Sequence, residues 1–243
     1  MPTRSLSIVI PAYNEARRLP PSLRLIMDWA SHQDFPVDLV LVDDGSTDGT
    51  ADRARKAVGD TVPLTVLINS PNRGKGNSVR RGMLAAAGEC VLFTDSDLST
   101  PITDATDLLD ALDAGADIAI GSRGMRKSHV QVHQPWWREM PGKLFGAMVR
   151  VIALPGIRDS QCGFKCFRRE AAQAVFPLVI QHGWAFDVEM LTVARKLGLQ
   201  IAEVPVHWVN DPDSKVKLLR DGPKMVLDII RARWTHRNLR PPA

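Results

Sequence analysis

Short apolar runs recur through the first half of the chain: Leu6–Ile10, Val37–Val42, Val62–Ile68, Cys90–Thr94 and Ile118–Ile120. Runs of this length, nearly free of alternation, predict strands covered on both faces. Between them, apolar positions take up helical spacing from Asn14 to about Trp29, over Ala51–Val58, and from Lys75 through Ala87. Asn14 stands where an N-cap is expected, with Glu15 at the positive end of the helix dipole. Strands alternating with helices in this way predict an α/β fold with a mostly parallel sheet and right-handed crossovers. The second half is less regular. It reads as a helix over Pro135–Ala153, a strand-like Gln161–Phe167, a helix over Trp184–Leu197, a strand over Gln200–Val206 and a final helix after Ser214. No repeat, low-complexity stretch or linker interrupts it, so the expectation is one Rossmann-like domain over residues 1–243.

In such sheets ligands bind beyond the carboxyl ends of the strands, and the unusual residues fall there. Asp43 and Asp44 follow the second run, and Asp95-Ser96-Asp97 the fourth. In an extended segment residues two apart point the same way, so Asp95 and Asp97 are expected to converge on one divalent cation. A turn residue beside a helix cap is the plainer alternative. If the second and fourth strands lie close, four carboxylates crowd one rim and need cations or basic side chains beside them. Lys75, Arg80, Arg123, Lys165 and Lys215 are the candidates. Asn72-Arg73-Gly74-Lys75-Gly76 is not a Walker A loop, because Asn69 and Gly76 stand where Gly and Ser or Thr are required. It is not a dinucleotide fingerprint either, since it follows the third strand and not the first. What remains is a basic loop feeding a helix N-terminus, a generic anion site. Arg158-Asp159-Ser160-Gln161-Cys162-Gly163-Phe164-Lys165 gathers charge beside a glycine, and Asp187 and Glu189 open a helix without sharing a face of it. For Asp187, capping and catalysis are both open.

Composition narrows the partners. The 243 residues carry 31 Lys+Arg against 27 Asp+Glu, a net charge of +4, and 44% are hydrophobic. That suits a globular domain with a sizeable core and excludes disordered and collagen-like classes. The mild basicity favours a phosphate-bearing partner or an anionic membrane. With aromatics at 6%, nucleic acid is not expected. Cys90, Cys162 and Cys166 follow no secretory leader and are expected as reduced, packed thiols. No apolar stretch approaches the ~18 residues of a membrane span. The expectation is therefore a cytoplasmic protein, peripheral to the membrane where it meets one. Leu144, Phe145, Met148, Val149 and Ile152, with Trp136, Trp137 and Arg138 before them, form one candidate interfacial stripe. Val226, Ile229, Ile230 and Trp234 among Lys224, Arg231, Arg233 and Arg237 form another, though ordinary core packing explains both stripes equally well.

Taken together, Pro11-Ala12-Tyr13-Asn14-Glu15, Val42-Asp43-Asp44-Gly45-Ser46, Asp95-Ser96-Asp97 and Gly121-Ser122-Arg123, in this order, resemble the family 2 inverting glycosyltransferases of GT-A fold. Arg73-Gly74-Lys75-Gly76, the Arg158–Lys165 segment and Trp184-Ala185-Phe186-Asp187-Val188-Glu189 are similar to its polyprenyl-phosphate branch, dolichyl-phosphate β-glucosyltransferases in particular. The resemblance implies a metal-dependent hexosyltransferase using Mg or Mn. Residues up to about 123 would bind a nucleotide sugar, UDP-glucose by preference, and residues 124–243 a polyprenyl phosphate. It implies nucleoside contacts from Pro11, Tyr13, Glu15 and Asp43, with Asp44 beside them. Asp95 and Ser96 would meet the ribose or sugar, and Asp97 with Asp95 the metal. Arg123 would meet the acceptor phosphate or donor sugar, and Lys215 would close over the diphosphate. Lys75, Arg80 and Lys165 complete the substrate-binding set, and Asp97, Arg123 and Asp187 the catalytic one. Arg231-Ala232-Arg233-Trp234 lacks the Gln of processive synthases. A GDP-mannose donor, a soluble acceptor, or a non-catalytic nucleotide-sugar-binding protein are the alternatives.

Overall fold

The structure, a computed structural model, describes residues 4–125, 128–130, 149–150, 153–209 and 218–241. β1 (Leu6–Ala12), β2 (Val37–Asp43), β3 (Leu64–Ile68), β4 (Cys90–Thr94) and β5 (Ile118–Ser122) match the five apolar runs, each extended or trimmed by a residue or two at its ends or coinciding with them. With β7 (Phe164–Arg168) and β8 (Ile201–Pro205) they form a seven-stranded sheet in the order β3-β2-β1-β4-β7-β5-β8. All neighbours run parallel except β7, which lies antiparallel between β4 and β5. A small parallel pair joins β6 (His129–Val130) to β9 (His207–Trp208). Helices α1 (Leu19–Ser31), α2 (Thr50–Val58) and α4 (Ala105–Asp113) cover one face, over Leu6, Ile8, Leu39 and Leu92. The other face, with Val9, Val42, Val91 and Phe93, packs on α3 (Lys75–Ala85), α5 (Arg169–Val175), α6 (Phe186–Lys196) and α7 (Leu218–Thr235). Alternate strand residues thus feed two cores, which is why the strands read as unbroken apolar runs.

One expectation changes and two helices are added. Asn14 does not cap a helix: its φ of 52° places it in a loop, and α1 begins at Leu19 with proline in its first turn. Asn14 instead donates its N–H to Ser46 Oγ (2.9 Å) and accepts the Thr47 N–H (3.0 Å), tying the loop after β1 to the loop after β2. The helices α4 and α5 go beyond the elements read from the sequence. The helix expected over Pro135–Ala153 lies mostly outside the described residues, as do Trp136, Trp137, Arg138, Leu144, Phe145, Met148 and Ile152.

Candidate active site

Because β1 lies between β2 and β4, its end at Pro11-Ala12-Tyr13 is flanked by Asp43-Asp44 on one side and Asp95-Ser96-Asp97 on the other. A cleft of about 450 Å³ opens there. Pro11, Ala12, Tyr13, Glu15 and Arg18 line it from β1 and the loop beyond, and Asp44 from the end of β2. Asn72, Gly74, Lys75 and Ser78 line it from the basic loop and α3, and Asp95, Ser96 and Asp97 from the end of β4. Gly183 and Trp184, ahead of α6, close it. The sheet order therefore brings together the carboxylates that the sequence placed at two separate strand ends.

Among the described residues, both backbone amides and basic side chains hold these carboxylates. Buried Asp44 accepts the N–H groups of Arg73 (2.9 Å) and Gly74 (2.8 Å) and the side-chain amide of Asn69 (2.7 Å). It thereby shapes the basic loop as well as lining the cleft. Asp43 accepts the Ser46 N–H (2.8 Å), and Glu15 holds Arg18 by two 2.8 Å bonds. Asp95 meets one of the basic candidates: Lys75 Nζ lies 2.5 Å from its Oδ1 and 5.3 Å from the centre of the Trp184 ring. Burial works against the Lys75 charge, but the negative charges of Asp95, Asp187 and Asp97 outweigh it and hold its pKa above the ordinary lysine value. Lys75 is a fixed cation facing the cleft.

Asp95 to Leu98 is a turn and not the extended segment expected, since the Leu98 N–H bonds the Asp95 carbonyl and Leu98 has a φ of 49°. The turn still delivers both Asp95 and Asp97 to the cleft. Room for Asp95 exists because Gly163 has no side chain, and a Cβ built there would collide with the Asp95 carboxylate. Among the described residues no three His, Cys, Asp or Glu side chains gather into a metal site. Two carboxylates lining an open cleft still fit Mg or Mn, which take one or two protein carboxylates and complete their shell with water and substrate phosphate. The cysteines do not fit: all three are buried and free, and burial and then Asp159 push the Cys162 thiol up to about 11.

The remaining candidates lie behind or beside the cleft. Lys165, fully buried near the start of β7 opposite Phe93 and Ile120, donates to Asp187 Oδ1 and to the Cys162 carbonyl, both at 2.5 Å. Asp187 is buried with it and does not line the cleft; burial raises its pKa and Lys165 pulls it back only in part. Arg123 is held by Asp159 through Nε (2.6 Å) and Nη2 (2.9 Å). It also lies 5.4 Å from the centre of the Trp208 ring. Arg80 is placed away from the cleft, with its Nε on the Phe176 carbonyl (2.9 Å), where it pins a turn. Lys215 lies outside the described residues.

Trp184 and Arg18 were not among the candidate site residues. Trp184 sits in a motif already noted, whereas nothing local marks Arg18. Glu189 is neither solvated nor a cap. Its Oε2 accepts the N–H groups of Ile180 (3.0 Å) and Gln181 (2.7 Å), and its Oε1 meets His236 Nε2 at 2.9 Å.

The description "Glycosyl transferase family 2" fits residues 7–176. Among curated proteins, dolichyl-phosphate beta-glucosyltransferase of Dictyostelium discoideum is 34% identical over 95% of this chain and 74% of its own length. The human protein of the same name is 34% identical over 88% of this chain and 70% of its own. Among solved structures, Mycobacterium tuberculosis glucosyl-3-phosphoglycerate synthase superposes with a TM-score of 0.67 at 22% identity, covering 99% of this chain and 82% of that one. A second structure of that enzyme, with Mn2+, UDP-glucose and phosphoglyceric acid bound, gives 0.68 at 20% identity, covering 99% and 81%. The structural likeness establishes a shared fold, and the sequence match identifies the chain as a member of glycosyl transferase family 2.

Proposed function

We propose that this chain transfers glucose from UDP-glucose to a polyprenyl phosphate such as dolichyl phosphate, inverting the anomeric linkage, at the cytoplasmic face of a membrane. The observation that carries the reading is the cleft itself, where two carboxylates on a turn and a lysine held in its charged form face one space of about 450 Å³. The relatives' names supply glucose and the lipid phosphate, and UDP-glucose is bound in a structure of the same fold.

In this reading Pro11, Tyr13, Glu15 and Asp43 receive the nucleoside, with Asp44 holding the loop that forms the wall. Asp95 and Ser96 orient the ribose or the hexose, and Asp97 with Asp95 holds the cation. Asp97 and Asp95 would hold Mg or Mn there, and that cation would supply positive charge toward a departing diphosphate. Lys75 adds a second positive charge from the protein, already oriented before reaction. The attacking phosphate monoester is anionic near neutral pH, so no strong general base is required. That leaves Asp187 as the buried partner of Lys165, holding β7 behind the reacting groups. Arg123, oriented by Asp159, meets the acceptor phosphate or the sugar.

Nucleotide release from a panel of donor sugars tests this, with and without short-chain polyprenyl phosphate, in Mg or Mn and in EDTA. UDP-glucose turnover that needs both lipid phosphate and metal, and is lost in Asp97→Ala, is the expected result. The phosphoglyceric acid bound in the structural neighbour favours one second reading, a small soluble acceptor. Turnover with phosphoglyceric acid but not with lipid phosphate would select it. Nucleotide binding without turnover on any acceptor would overturn both.

A further inference from the structure

We propose that the outward face of α7 is a docking surface for an anionic lipid bilayer. The helix has two apolar faces where a surface helix ordinarily has one. Met225, Ile229, Ala232 and His236 are buried against the body of the protein. On the opposite side, Leu227, Ile230 and Trp234 follow one another at spacings of three and four residues and so share a face. They are 67%, 51% and 67% exposed. Arg231 and Arg233 are exposed on either flank, and the Arg237 guanidinium lies 4.0 Å from the centre of the Trp234 ring, just beyond the helix end. From Met225 to Arg240 the chain carries one acid, Asp228, against Arg231, Arg233, Arg237 and Arg240.

Three large apolar side chains, one of them a tryptophan, bordered by arginines are what a helix lying in a membrane interface requires. The apolar groups enter the acyl boundary while the cations meet lipid phosphates. The same charge disfavours a second copy of this chain, which would bring two arginine sets face to face. Among the described residues no helix is long and apolar enough to cross a membrane, so contact of this kind is confined to the surface. The proposal rests on the reading that the acceptor is carried in a membrane, and it assigns that contact to one helix face.

Flotation of the purified chain with phosphatidylcholine vesicles, with and without phosphatidylglycerol, tests it. Binding to the anionic vesicles, weakened by salt, is expected. A variant combining Leu227→Ser, Ile230→Ser and Trp234→Ser, and one combining Arg231→Gln, Arg233→Gln and Arg237→Gln, should each weaken it about tenfold or more. Since all six side chains are exposed, melting temperature should hold. Transfer to a short, water-soluble polyprenyl phosphate should also stay at the wild-type level in both variants. Equal flotation of wild type and the apolar triple variant would overturn the proposal. So would failure of the wild type to bind vesicles, including the case in which sedimentation shows a dimer that the triple variant dissolves. If vesicle binding follows the expected pattern but no lipid phosphate is ever glycosylated, the docking surface stands and the proposed reaction falls.

Discussion

Gly163 and Gly82 both leave no room for a Cβ, yet what they protect differs. At Gly82 the added carbon would meet Val9 Cγ1 and Val42 Cγ2 between α3 and the sheet. Gly82→Ala should therefore cost about 1–3 kcal/mol in urea unfolding, as overpacking does. At Gly163 the carbon would meet the end of the Asp95 side chain, which can swing aside. Gly163→Ala should leave stability within about 0.5 kcal/mol and lower kcat/KM on the order of 10²-fold, because Asp95 is displaced from the cleft. A variant that melted early while keeping full activity would contradict the role given to Asp95. The ion pair of Asp159 with Arg123 gives a pH prediction. Burial raises the Asp159 pKa, but Arg123 more than reverses this and brings it to about 2, below the ordinary 3.8. A depressed carboxyl contributes stability that is complete above the unfolded value and lost as pH falls through the folded one. The stability gap between wild type and Asp159→Asn should be widest above about pH 5 and shrink by on the order of 2 kcal/mol toward pH 2. A gap that stayed constant would remove this assignment.

Glu189 shows how one helix controls the cleft through a connection no local pattern reveals. From inside α6 it holds the N–H groups of Ile180 and Gln181, and it reaches His236 just beyond α7. The next carbonyl, that of His182, accepts the Gly76 N–H at the start of α3, and Gly183 and Trp184 line the cleft. Glu189→Ala would remove a fully buried acceptor from two part-buried amide donors and a buried histidine, costing about 1–3 kcal/mol. Glu189→Gln keeps an acceptor and should recover much of the stability. Donor KM should rise in both variants, measured by nucleotide release, with the larger rise in Glu189→Ala. From sequence, Glu189 was only an acidic residue two positions from Asp187. The apolar runs of β1 to β5 were legible because each faces two cores and excludes polar residues. The antiparallel course of β7 was not, because strand direction is set by partners distant in sequence and leaves no mark on Phe164–Arg168. Asn14 misled because asparagine before glutamate has the composition of a cap, while the prolines at positions 20 and 21 set the true start of α1. The Leu108, Leu109 and Leu112 pattern of α4 was present and readable. The acidic strand ends were legible as chemistry, and it took the order of the sheet to place them around one cleft.

Across the whole molecule, the cleft draws residues from positions 11 to 184, spread over the ends of β1, β2 and β4, the loop into α3 and the approach to α6. No part of the unfolded chain can reproduce that set of contacts, so a ligand seated there binds the native state alone. It then stabilises by RT ln(1 + [L]/Kd), about 2.7 kcal/mol at a hundredfold excess over Kd. For a chain of 243 residues, each kcal/mol raises Tm by roughly 2–4 °C. UDP with Mn2+ at that excess should therefore raise Tm by about 5–10 °C. EDTA should reduce the rise to the part the nucleotide achieves alone with Lys75 and the cleft amides. In Asp97→Asn the difference between Mn2+ and EDTA should shrink toward zero while the UDP-only rise persists, because the proposed reading gives Asp97 the cation and not the base. In Lys75→Met both rises should fall, since the proposed reading has this lysine serve the diphosphate whether or not metal is present. A metal-dependent rise that survived Asp97→Asn unchanged would move the cation away from the turn after β4, and with it the proposed seat of the departing diphosphate.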